Sequence, residues 1–404
     1  MIFLRPHFLV LVLLLSPYTL AYDAAFLDGN SVTIGLTETE IGRLATNLPA
    51  GNNIIIAVFQ LDGDLAVPVN IAADNLRLYR GSVLLASNQY QLRADGLTTG
   101  KERVSTMLVA NDTNAPANPI YNVTAAADAL LSNGEVKMIV ISGLNSSYKN
   151  GTSVAVGTSD TRLLEHNTSL PPGDKIVMAV LHMDNTQAGT RSILAGGLNI
   201  TRQGMVLASN QNAIILERAS RVIRSMGILL VANDTNAPAN AQYNITATAD
   251  NTGINAKAQI LVLDGIKSAF LDSPNTGIDT GETRIGTANS TFGSGKNVVI
   301  AGIELSNTAG ASRTIATGDA RLKNDTTIQT SNEYGMTLGA AGGGFEFRTH
   351  GLMWYDENAT SNRRYNVSAL ASATGVNAET KIIVLRLTKI LRANGTITSP
   401  VTVL

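Results

Sequence analysis

Cysteine is absent from all 404 residues, which excludes disulfides, thiolate metal sites, thiol nucleophiles and lipidation at a cysteine. Charge is scarce as well: 15% of residues are charged, with 30 Lys+Arg against 31 Asp+Glu. Such a balance leaves no basic excess to hold nucleic acid or an anionic membrane surface. Histidine is limited to His7, His166, His182 and His350, and the last three fall at different repeat positions, so no histidine site recurs per domain. There is no His-Glu-x-x-His, nucleophile elbow, phosphate loop or dinucleotide fingerprint. The expectation is a protein that is not an enzyme, with no cofactor unless calcium.

What is present begins with Arg5 and His7, the apolar run Phe8–Leu15, then Ser16, Pro17 and Thr19-Leu20-Ala21. That order predicts a signal peptide over residues 1–21, cleaved before Tyr22. The implied location is secreted, extracellular or at the cell surface. No later stretch is apolar enough to span a bilayer.

The chain repeats itself. Val109-Ala110-Asn111-Asp112-Thr113-Asn114-Ala115-Pro116-Ala117-Asn118 returns as Val231–Asn240, and a degraded copy begins at Met353. The same interval relates Ser87, Ser209 and Ser331, and the turns at Leu48–Gly51, Leu170–Gly173 and Phe292–Gly295. It also superposes Val136–Leu144, Ala258–Ile266 and Thr380–Thr388. Constant register over so many markers defines three domains, 22–144, 145–266 and 267–388. The remainder, 389–404, matches the opening of a fourth copy, because Asn394-Gly395-Thr396 repeats Asn150-Gly151-Thr152.

Short β-branched runs such as Asn53–Leu61, Ser82–Leu85, Thr106–Ala110 and Lys137–Ile141 are divided by Gly, Asn, Asp and Pro. They predict seven or eight strands per copy. The fold class is all-β: three tandem β-sandwich repeats, jelly-roll or Ig-like, with an extra terminal strand. Thr39–Asn47 and Glu217–Met226 also admit a short helix. Long apolar strands in so charge-poor a chain fit packing between subunits as well as an ordinary core.

Asn-x-Ser/Thr sequons lie at Asn111, Asn122, Asn145, Asn150, Asn167, Asn199, Asn233, Asn244, Asn289, Asn324, Asn358, Asn366 and Asn394. In Tyr121-Asn122-Val123-Thr124-Ala125 the strand period turns Tyr121, Val123 and Ala125 inward and Asn122 outward, a pattern repeated at Tyr243-Asn244 and Tyr365-Asn366. Asp112, Asn114, Asp234 and Asn236 are weak calcium candidates, set against a plain Asx-turn. One strand is surplus to three sandwiches. Either the leading segment with Ala25, Phe26 and Leu27, or the tail with Ile397, Val401 and Val403, is available for donation to another copy, and head-to-tail donation builds a filament.

This architecture resembles the secreted, N-glycosylated β-sandwich subunits of archaeal extracellular threads and pili. The resemblance implies assembly by donor-strand complementation, with copies of the chain itself as partners. Surface-layer proteins and adhesin stalks share the repeated domains and sequons without needing a spare strand; they bring surface glycans or envelope components as partners. A secreted carbohydrate-binding module is a further alternative.

Overall fold

The structure is a computed structural model. It describes residues 22–63, 69–94, 96–97, 100–101, 103–129, 132–187, 189–210, 213–216, 226–338 and 346–389. The expected signal peptide, the donor candidates Ile397, Val401 and Val403, and Asn394 lie outside the described residues, as does most of Glu217–Met226. Among the described residues every regular element is a strand, and no helix is long and apolar enough to cross a membrane.

The first copy shows the plan. Strands Ala24–Asp28, Ser132–Ser142, Gly51–Gly63 and Arg103–Ala115 lie side by side in one sheet. Thr39–Ala45, Ile120–Ala125, Leu76–Arg80 and Val83–Ser87 form the other. All pairings are antiparallel. These eight strands, alternating in this way between two sheets of which the first is extended by the short strand Val32–Ile34 beside Ser132–Ser142, make a jelly roll rather than an immunoglobulin-type sandwich. Copies two and three repeat the order. Their first sheets are Asn145–Asn150, Ile254–Asp264, Gly173–Asn185, Met226–Ala237 and Ile266–Asp272, Val376–Lys389, Gly295–Asn307, Glu346–Ala359.

Thr39–Ala45 is a strand, not a helix. Its buried residues Ile41 and Leu44 are three apart because a bulge interrupts its pairing with Ile120–Ala125. The extra residue turns the strand period of two into a local spacing of three, which imitates a helical face. Gly42 sits at that bulge, where an added Cβ would fall 2.3 Å from Val136 Cγ1.

The central strands are buried on both faces. Along Gly51–Gly63, Ile55, Ala57, Phe59 and Leu61 enter the core of their own sandwich. The alternate residues Ile54, Ile56 and Val58 enter a different core. Ile176, Met178 and Val180 of copy two reach that same second core, as do Val298 and Ile300 of copy three. The first sheets of all three sandwiches therefore face one another around a shared apolar centre. Their edge strands Arg103–Ala115, Met226–Ala237 and Glu346–Ala359 touch each other in all three combinations. Tyr22 and the junction residues Leu144 and Ile266 are buried in this centre too. The arrangement is a closed ring about a pseudo-threefold axis, not a row of beads.

Candidate functional site: the interfaces of the ring

Neighbouring copies meet through the same repeat positions. Tyr90 Oη lies 2.5 Å from Ser153 Oγ between copies one and two. Between copies three and one, Tyr334 Oη donates to Ser31 Oγ at 2.6 Å. Tyr90 and Tyr334 are equivalent in the repeat, and so are Ser153 and Ser31. The contact that closes the ring is therefore the contact that opens it, carried around the axis. Size complementarity follows the same rule. An ideal Cβ on Gly351 of copy three would lie 2.9 Å from Val58 Cγ1 of copy one. On Gly302 it would lie 3.6 Å from Leu229 Cβ of copy two.

Each interface has its own polar chemistry. Between copies one and two, His182 Nε2 is 3.1 Å from the Met107 carbonyl, and the Gln89 N–H donates to His182 Nδ1 at 3.4 Å. These partners define the neutral Nε2–H tautomer. Burial, with Lys257 nearby, pushes the His182 pKa down to about 4. Lys257 Nζ donates across to Gln89 Oε1 at 2.8 Å.

Between copies three and one, the buried Lys137 is bonded to Asp28 and pairs with Glu135 at 2.9 Å. Burial raises the Glu135 pKa, and Glu333 of copy three adds to the rise. His350 of copy three is buried, with no hydrogen-bond partner at Nε2. Burial and the positive charge of Lys137 hold it down to about 4.

Copy three presents Glu304 and Glu379 directly opposite each other on adjacent strands. Lys381 is bonded to Glu379, lies 3.9 Å from Glu304 and 3.5 Å from Asp272. Burial, then the charge of Glu304, pushes Glu379 up to about 8, and burial raises Glu304. A cavity at the centre is lined by Val58, Thr106, Leu229, Gly302, Glu304 and His350, among others. It exists because Gly302 and Gly351 stand where the other copies carry Val58, Val180, Met107 and Leu229.

The repeated tyrosines anchor the sandwiches. Tyr121, Tyr243 and Tyr365 are fully buried and donate to Asp112, Asp234 and Asp356 at 3.0, 2.8 and 2.7 Å. The other oxygen of Asp112 binds Arg80 at 2.5 Å, and that of Asp234 binds Arg202 at 2.5 Å. These carboxylates, the proposed calcium ligands, are thus spent on a cation the chain supplies. Asn114 gives its carbonyl to Arg80 at 2.9 Å, and Asn236 donates its N–H to Asp174 at 3.1 Å. A calcium ion here would have to expel the guanidinium. Among the described residues no group of three or more His, Asp and Glu is gathered for a metal.

The sequons divide by exposure. Asn145, Asn150, Asn167, Asn233, Asn289 and Asn358 are exposed, and Asn111, Asn122, Asn199 and Asn244 are half-buried. Asn145 also donates its amide to Asp264 at 2.9 Å. Asn324 and Asn366 are buried. The outward position held by Asn122 and Asn244 is covered in copy three: the Asn366 amide donates to the Asp325 carbonyl at 2.7 Å and its oxygen accepts from Thr287 at 2.7 Å. A sugar on Asn366 would cost that bond and its burial. In a glycosylating host, glycopeptide mass spectrometry is expected to find sugar on Asn150, Asn167, Asn233, Asn289 and Asn358 and none on Asn324 or Asn366. An occupied Asn366 would contradict the packing of the third outer sheet.

Of the strand-donation candidates, Ala25, Phe26 and Leu27 are paired with Val140, Ile139 and Met138 of their own copy. Ala25 and Leu27 pack on the first sandwich core, and Phe26 on the shared centre beside Trp354 and Tyr355. Asn145–Asn150 and Ile266–Asp272 hold the same place in their own copies. Each described sandwich is complete without a strand from the next. Sequence reasoning did not find the ring interfaces. The signal for them is the runs whose odd and even residues are both apolar, which require cover on two sides.

No protein-family model matches this chain, and neither does any curated protein. Among solved structures it is similar to the atomic structure of Sulfolobus Turreted Icosahedral Virus, at 12% identity over 92% of this chain and 91% of that one, with a TM-score of 0.21. It is similar also to a structure described as the triple jelly roll fold and turret assembly in an archaeal virus, at 12% identity over 91% and 90%, TM-score 0.21. PNGF-II in its P21 crystal form is similar at 8% identity over 76% and 84%, TM-score 0.29. Scores this low carry no argument about this chain, whose fold class rests on its own strand order.

Proposed function

We propose that this chain is a secreted structural subunit of an extracellular filament, joined to further copies by exchange of terminal strands. One observation carries the reading. In sequence, residues 389–404 repeat the opening of a copy, as Asn394-Gly395-Thr396 matches Asn150-Gly151-Thr152. The slot for an opening strand beside Ser132–Ser142 is already held by Ala24–Asp28. A tail that encodes a fourth opening strand therefore has no vacant place in its own molecule. It finds one only where a leading strand has moved aside, and in a second molecule that joins copy to copy. The buried carboxylates Asp112 and Asp234 are used to hold their own sandwiches, by Arg80 and Arg202, and His182 to join copy two to copy one, uses that suit a building block.

A surface layer is the second reading. A ring with three equivalent outer sheets suits a two-dimensional lattice, and five of its large exposed apolar residues, Val83, Leu84, Met205, Val206 and Ile328, occupy two adjacent repeat positions.

The chain has no cysteine of its own, so a disulfide between Ala25→Cys and Val140→Cys, which face each other across the strand pair, is a clean lock on the leading strand. Electron microscopy of the mature chain is expected to show filaments when the lock is reduced and single particles when it is oxidised. Removing residues 390–404 should have the same effect as the lock. Filaments that survive both would sink strand exchange; flat arrays that survive both would favour the layer.

A further inference from the structure

The polar residues of the ring single out copy one. Gln60, His182 and Glu304 share one repeat position, and Thr106, Ile228 and His350 share another. His182 bridges copies one and two. His350 lies against Lys137 of copy one at the closing interface. Both contacts of copy one thus contain a buried neutral histidine, while Glu304, Glu379 and Lys381 of copy three cluster with one another.

We propose that copy one is an exchangeable domain: acid releases it from both neighbours, it swings about Gly143–Asn145, and it takes the place of copy one in a second molecule, linking molecules into an open chain. The occupant follows from the contact itself. The vacated place fits Val58 against Gly351 and Ser31 against Tyr334, and copy one of any other molecule carries the same residues. Once released, Ile54, Ile56, Val58, Ile139 and Ile141 face water, and refilling an equivalent place restores their cover. Each molecule gives one domain and accepts one, which does not close. Gly143, at φ +78°, supplies the turn between Ser132–Ser142 and Asn145–Asn150.

Protonation acts directly on these contacts. A proton on His182 Nδ1 meets the Gln89 N–H, so two donors face each other where an acceptor stood. The charge also adds to that of Lys257, whose own counter-charge is Asp74 of copy one. A proton on His350 sets a second positive charge beside Lys137, already held by Asp28 and Glu135. The sign follows from the lowered values. Released histidine titrates near 6.5 and ring histidine near 4, so the ring loses stability as pH falls through this window and is unaffected above it. Each histidine shifts the equilibrium toward release by about two orders of magnitude at the bottom of the window. Glu135, facing Glu333, works the other way, because its raised pKa favours the protonated ring. Burial raises Glu304 and Glu379 as well, so they too favour the protonated ring; copy one is the part released because both histidines lie on its contacts.

This exchange shares with strand exchange the premise that copies join copies, but uses a different contact, and two locks separate them. A Cβ on Gly351 would lie 3.8 Å from Val58 Cβ, the usual span of a disulfide. The mature chain is held at pH 4.5, returned to pH 7.5 and sized by chromatography with light scattering. Wild type is expected to yield dimers and longer chains. Oxidised V58C/G351C should stay single and regain exchange on reduction, and oxidised A25C/V140C should still exchange. His182→Gln with His350→Gln, checked for native circular dichroism at pH 7.5, should stay near the level of untreated protein. The proposal is overturned if wild type stays single, if the oxidised V58C/G351C lock associates like wild type, or if the double histidine variant does.

Discussion

Replacing Asp234 with alanine is expected to destabilise the protein by about 3–5 kcal/mol, the usual cost of leaving a buried charge without its partner. Asp234 is 1% exposed and neutralises Arg202, whose side chain is only 15% exposed. It also accepts from Tyr243, which is fully buried. Its removal strands a guanidinium and a phenol in one step. Asp234→Asn should recover part of the loss, because it keeps an acceptor for Tyr243 while losing the charge. Denaturant unfolding of the two variants checks the order, and equal losses would mean that the hydrogen bond to Tyr243 contributes nothing beyond the ion pair. Copy three supplies a natural comparison, since Asn324 stands in place of the arginine and the charge of Arg386 acts on Asp356.

Ile56→Asp should cost at least about 4 kcal/mol, from lost apolar burial together with a carboxyl group forced into the shared centre. In a row of separate sandwiches, Ile56 would lie on an outward face, where such a change costs about 0.5 kcal/mol or less. In the ring it is fully buried between copies. Leu84→Asp, at a residue 52% exposed, is the matched control and should be nearly neutral. Calorimetry adds a second readout. Because the same central strands line both a private core and the shared one, the wild type should melt in a single transition, and Ile56→Asp should separate an early transition from a later one.

The sandwich was legible because its determinants are local. Asn53–Leu61 is β-branched and bounded by Pro49 and Gly51 on one side, and Tyr121, Val123 and Ala125 alternate inward as the strand period requires. Thr39–Asn47 admitted a helix as well as a strand because a bulge, which depends on the partner strand, changes the spacing of Ile41 and Leu44. The ring was harder to read for a different reason. A strand apolar on both faces announces that it is covered twice, but the cover for Ile54 and Ile56 comes from copies far along the chain and leaves no local mark. Gln60, His182 and Glu304 stand at one repeat position. His182 acquires meaning only once its contact with the Met107 carbonyl of copy one is seen. Asn366 shows the converse: its sequon is intact, and only the neighbouring Asp325 and Thr287 reveal that the amide is already used.

Small-angle X-ray scattering of residues 22–404 at neutral pH tests the closed ring most directly. A compact ring of this length predicts a radius of gyration of about 21 Å. Three sandwiches in a row, each about 14 Å in radius of gyration, would exceed about 30 Å. A value near the smaller figure, with a single-peaked distance distribution, is the result the closed ring requires. A value near the larger one, with peaks at the spacing of separate domains, would contradict it.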